Sequence, residues 1–153
     1  VMTTQTTRGI LDQARYFHQQ LQAFYEGLRG RLEQPQLQLI LDYLAQHEQR
    51  MEHALARYEE DIAAEVADTW FKFNAGVSMD EAIAAVHIRP EPSLDDLMAI
   101  AIQLENQFLV LYKNAADQAV SVKVKEVFEQ LLKQTTRDRM KLSRDLVDMH
   151  DLM

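Results

Sequence analysis

The sequence predicts an all-α protein: a single-domain four-helix bundle over residues 1–153, made of two antiparallel hairpins joined by one long crossover. Three observations carry this prediction. Four long stretches repeat apolar residues at steps of three and four, which places them on one face of a helix. The breaks between these stretches are short, long and short. Four Gly and three Pro in the whole chain leave little to interrupt helices.

The first helix is expected over 7–32, with Ile10, Ala14, Phe17, Leu21, Phe24 and Leu28 as its apolar seam. Gly30 and Pro35 mark a tight turn, so the second helix, 36–64, returns antiparallel with Leu37, Ile40, Leu44, Met51 and Leu55 inward. Residues 65–93 break the period and form the crossover. Within it, Ser78 followed by Glu81 is a capping box that predicts a short helix over 79–86. Pro90 and Pro92 stop that helix, and Ser93 caps the third, 94–118. Leu97, Ala101, Leu104, Phe108, Leu111 and Ala115 form its inward face. A weak break at Val120-Ser121 leads into the fourth helix, 122–148, with Val124, Phe128, Leu131, Leu142 and Leu146 inward. A crossover of this length carries the chain from one end of the bundle to the other, so the second and third helices are expected to run parallel.

The halves also align with each other at an offset of 87 residues, without a gap. Phe17 falls on Leu104, Leu21 on Phe108, Tyr25 on Tyr112, Ile40 on Val127 and Leu55 on Leu142. Register that holds through both helices and the loop between them points to a pseudo-twofold bundle.

Lys and Arg number 16 against 24 Asp and Glu, a formal charge of −8. Without a basic stripe the chain is not suited to nucleic acid or to anionic membranes. Its surplus carboxylates suit cations. The absence of cysteine excludes disulfides and thiolate metal sites and fits a reducing cytoplasm, the expected location. There is no apolar run of about 18 residues and no signal-peptide pattern. Val1 precedes Met2, which is expected to be the natural start.

Glu105 stands in the middle of the third helix's apolar face, with Tyr112 two turns further along. A carboxylate in a helical core is costly unless it is paired, hydrogen-bonded or bound to a cation. Here AIQLENQFLVLYKNAA (101–116) and VFEQLLKQTTRDRMKL (127–142) resemble the ferritin-like superfamily, most closely its rubrerythrin-type bundles. The resemblance covers nearly the whole chain. It implies that each hairpin contributes one Glu from its first helix and Glu-x-x-His from its second, together holding two iron ions.

Those ligand places fall on His18, Glu48, Met51, Glu105, Thr135 and Asp138. Only Glu48 and Glu105 keep the family's residue type. His18 and Asp138 are substitutions that still ligate, whereas Met51 and Thr135 are poor ligands for hard iron. The resemblance therefore implies one divalent ion (iron, manganese or zinc) held by His18, Glu48, Glu105 and Asp138 in place of an intact di-iron centre. Tyr25, Tyr112 and Thr135 would supply hydrogen bonds around it, and Met51 and Glu52 rank behind these as ligands. With iron, the role would be non-haem redox or stress-related, using O₂ or peroxide. The alternative is a metal-free bundle in which protonated His18 balances the carboxylates and the protein serves as a dimeric scaffold or interaction module.

Other residues have plainer readings. His47 shares a flank with Met51 and Ala54. Glu52 and His53 are expected in solvent. Met51, Met98, Met140 and Met149 read as core filler, and His150 as part of a frayed end. Trp70, Phe71 and Phe73 form an aromatic cluster that packs on its own bundle or forms a homodimer interface. A homodimer is expected from the resemblance. There is no glycine-rich phosphate loop and no nucleophile elbow.

Overall fold

Thr6 ends a short extended segment, and its side chain accepts from the Gly9 amide at 2.9 Å, which caps the first long helix. The computed structural model describes residues 2–76 and 78–152. Val1 lies outside them. In chain order the elements are β1 (Thr3–Thr6), α1 (Thr7–Arg31), α2 (Pro35–Asp61), α3 (Ala64–Ala67), β2 (Trp70–Phe73), α4 (Met79–Ala84), α5 (Leu94–Gln118) and α6 (Val122–Leu152). The bundle consists of α1 with α2 and α5 with α6, and the segment from α3 to α4 forms the crossover.

The 87-residue repeat extends to the helix boundaries. α5 begins and ends 87 residues after α1, and α6 begins 87 residues after α2. Their N-caps Thr6 and Ser93 stand at the same offset. At Ser93 the capping box is reciprocal: Oγ accepts from the Asp96 amide at 3.1 Å, and Asp96 Oδ2 accepts from the Ser93 amide at 2.9 Å. Pro35 opens α2, where a missing N–H costs nothing. Ser78 caps α4 by accepting from the Glu81 amide.

Three local details differ from expectation. α2 stops at Asp61, because Ile62 turns extended before the short α3. α6 runs on to Leu152: Met149 packs partly against the core and His150 Nε2 lies 3.4 Å from Asp95 Oδ1, so this end is held against the start of α5. The crossover also carries a strand. β2 pairs antiparallel with β1, Thr3 opposite Phe73 and Thr6 opposite Trp70. Its side chains alternate, so Phe71 and Phe73 are buried edge-to-face at 6.0 Å while Trp70 is 67% exposed. Two of the three aromatics thus pack on the chain's own core.

The core follows the predicted seams. Ile10, Leu21, Ile40, Leu97, Phe108, Phe128 and Leu146 are all fully buried. Phe24, expected inward, is only partly buried at the edge of this cluster.

Beside the core, Arg15 bridges two acidic residues of α2. It lies 3.0 Å from Glu52 Oε1 and 3.4 Å from Glu59 Oε2. Glu52 is therefore a buried, paired carboxylate (9% exposed) and not the solvated charge expected. Its helix face turns towards α1, where Arg15 compensates the burial. Burial, reinforced by neighbouring Asp12, pushes the Glu59 carboxyl up to about 7 against the pull of Arg15. A carboxyl raised in the fold contributes stability that is fully present below its ordinary value of 4.5 and lost as pH rises through about 7. The melting temperature of the wild type should therefore fall relative to that of Glu59→Gln as pH rises across this window. A difference between the two proteins that stays flat, or changes in the opposite direction, would contradict this reading.

Candidate metal centre

Helical spacing brings four ionisable side chains to one level of the core. Glu48 follows Leu44 by one turn on α2, and His47 follows Ile40 by two turns on the same seam. Glu105 adjoins Leu104 on α5, and His18 adjoins Phe17 on α1. None is more than 7% exposed, and Glu48 is wholly buried. His18 Nδ1 and Glu48 Oε1 are 2.7 Å apart. His47 Nε2 lies 3.6 Å from Glu105 Oε1 and 3.9 Å from Glu48 Oε2. His47, Glu48 and Glu105 each offer a donor atom, and these atoms lie within 4.8 Å of one another.

Aromatic rings orient the imidazoles. Phe108, one turn beyond Glu105, stacks on His18 at 3.9 Å with the planes 14° apart. Tyr43 stacks on His47 at 6.5 Å and donates to Asp145 Oδ2 at 2.7 Å. Burial drives the His18 pKa down to about 4, so this imidazole is neutral. Burial also works against the charged form of His47, but the facing Glu105 and Glu48 outweigh it and its pKa rises. Glu48 is pushed well up by burial and by the charge on Glu105. Glu105 is buried as well, yet His47 and His18 hold it below the usual carboxylate range. The cluster thus favours negative charge on Glu105 and positive charge on His47, and disfavours charge on Glu48.

Its hydrogen bonding is incomplete. His47 Nε2, Glu48 Oε2 and Glu105 Oε2 are buried without a hydrogen-bond partner among the described residues. Buried polar atoms are nearly always satisfied, so three orphans in one cluster require an explanation. The donor set of one imidazole and two carboxylates matches what zinc, manganese or ferrous iron accept, with neutral His18 in contact with Glu48. The residues present fit one divalent ion.

No protein-family model matches the chain, and no curated protein matches it in sequence. Among solved structures, it is similar to a Thermotoga maritima protein provisionally described as a ferritin-like diiron-carboxylate protein. The match has a TM-score of 0.55 and 17% identity, covering 90% of this chain and 92% of that one. The fold is ferritin-like.

Within the ferritin-like bundle, the predicted residues separate into two groups. His18, Glu48 and Glu105 meet in the core as described. Asp138 does not join His47, Glu48 and Glu105; it is half-buried on α6 and accepts from its own-helix neighbour Gln134 at 3.0 Å. Asp138 instead lines a cavity of about 240 Å³ together with His18, Met51, Glu105, Tyr112 and Thr135. Tyr112 is buried against Phe128, and burial raises its hydroxyl pKa. Tyr25 is also buried, and its hydroxyl has no hydrogen-bond partner among the described residues. Glu52 is taken up by Arg15.

His47 is the member that sequence reasoning leaves on a flank. A signal was available: His47 stands three residues after Leu44 and four before Met51, on the seam itself. Histidine's amphipathic ring makes such a position hard to assign from periodicity alone.

Proposed function

We propose that the protein is a metal-binding ferritin-like protein of the rubrerythrin type, holding one divalent ion through His47, Glu48 and Glu105. The observation that carries this reading is the set of three buried atoms, His47 Nε2, Glu48 Oε2 and Glu105 Oε2, that lack partners among the described residues and lie in one cluster. His18 holds Glu48 through its Nδ1, and Phe108 holds the plane of His18. Such supporting contacts fix ligand orientation and tune affinity. Burial keeps bulk water away from the donors. A bound iron, manganese or zinc ion would supply a Lewis-acidic centre, and iron or manganese a redox-active one. One ion is favoured over two because Met51 and Thr135 stand at the family's other ligand places and Asp138 lies outside the cluster.

The test is to titrate Zn²⁺, Mn²⁺ or anaerobic Fe²⁺ into EDTA-treated protein while following thermal unfolding. At least one of these ions should bind one per chain and raise the melting temperature. The stabilisation should reach about 2.7 kcal/mol at a hundred times Kd. Binding of two ions per chain would contradict the single-ion site. No response to any of the three ions would favour the metal-free scaffold.

A further inference from the structure

The cavity beside the cluster has its own chemistry. It is walled by all four long helices: His18 of α1, Met51, Leu55 and Tyr58 of α2, Glu105 and Tyr112 of α5, and one face of α6 between Gln130 and Asp138. At about 240 Å³ it exceeds the ~150 Å³ at which an engineered cavity holds benzene. The lining combines apolar side chains (Leu55, Leu131, Met51) and two tyrosines with the amides of Gln130 and Gln134, the Thr135 hydroxyl and the Asp138 carboxylate. The lining includes two carboxylates and no Lys or Arg. Asp138 accepts from Gln134 and has no basic partner among the described residues. Glu105, 2% exposed and with Oε2 unpartnered, is the most buried acidic group of the lining.

We propose that this cavity binds a small organic amine, its ammonium against Asp138 and its apolar body between Leu55, Leu131 and the rings of Tyr58 and Tyr112. At its Asp138 end the cavity disfavours carboxylates and phosphates, which would meet a like charge there. The aromatic faces add attraction for an ammonium group. The volume is sufficient for a body the size of one six-membered ring. The inference goes beyond the metal reading and does not depend on it, because Asp138 lies outside the metal cluster.

The experiment is calorimetric titration of the full chain, both as purified and after EDTA, with benzylamine, benzyl alcohol and benzoate. Benzylamine should bind saturably at one per chain, benzyl alcohol about tenfold or more weaker, and benzoate not at all. Asp138→Asn should weaken benzylamine binding by about tenfold. Ala54→Trp, a change at an exposed rim position, should block binding while leaving helix content and metal stoichiometry unchanged. Benzylamine and benzyl alcohol binding with equal affinity, or full affinity in Asp138→Asn, would overturn the proposal, as would no saturable binding by either preparation. Amine binding that persists after EDTA supports it even if the protein takes up no metal, so the two readings fail separately.

Discussion

Glu105→Ala is expected to remove metal binding and to lower the stability of the metal-free protein by about 3–5 kcal/mol. The size of the effect follows from what the carboxylate faces. His47 Nε2 lies 3.6 Å from Glu105 Oε1, and both groups are buried. Removing the carboxylate leaves an imidazole whose charged form the cluster favours, in a region with little water to solvate it. Glu48 remains, but its pKa is raised and it is largely engaged with His18. Urea denaturation after EDTA treatment measures the loss. A change below about 1 kcal/mol would mean that Glu105 and His47 do not compensate each other. Replacing His47, Glu48 and Glu105 together by apolar residues should be far less damaging than the single change, because no charge is left stranded.

Phe108→Ala should destabilise by a similar amount, about 3–5 kcal/mol, for a different reason. The ring is 1% exposed, packs edge-on against Phe17 at 6.1 Å and lies flat on His18 at 3.9 Å. Truncation leaves a void among α1, α5 and the cluster, and a close-packed core refills such a void only in part. It also frees the His18 plane, so metal affinity should fall although no ligand is lost. A variant with normal unfolding and normal metal affinity would show that the site does not depend on this ring.

What the sequence made legible, and what it did not, follows from the range of each interaction. The long helices were readable because their seams repeat over 25 residues or more and their ends carry local signals such as Ser93 with Asp96 and Pro35. The ribbon of β1 and β2 was not. Each strand has four residues, and Thr3–Thr6 gains its meaning only from Trp70–Phe73, far along the chain. Among the site residues, Glu48 and Glu105 stood out because an acid on an apolar seam is anomalous. His47 did not, because histidine is at home on either side of a seam. Glu52 was assigned to solvent because its partner Arg15 sits on another helix, out of reach of any spacing argument. Asp138 aligned with a family ligand place, yet the structure leaves its carboxylate with Gln134 on the rim of a cavity. Position along a helix thus predicted the level in the bundle better than it predicted the partner.

The central claim is that His47, a residue outside the family's six ligand places, holds the ion. The most direct measurement is elemental analysis of untagged, chelator-free protein alongside His47→Ala and His53→Ala. His53 is the control, since it lies on the same helix with its side chain 60% exposed. The account predicts about one iron, manganese or zinc ion per chain in the wild type and in His53→Ala, and none in His47→Ala. Undiminished metal in His47→Ala, or two ions per chain in the wild type, would contradict it.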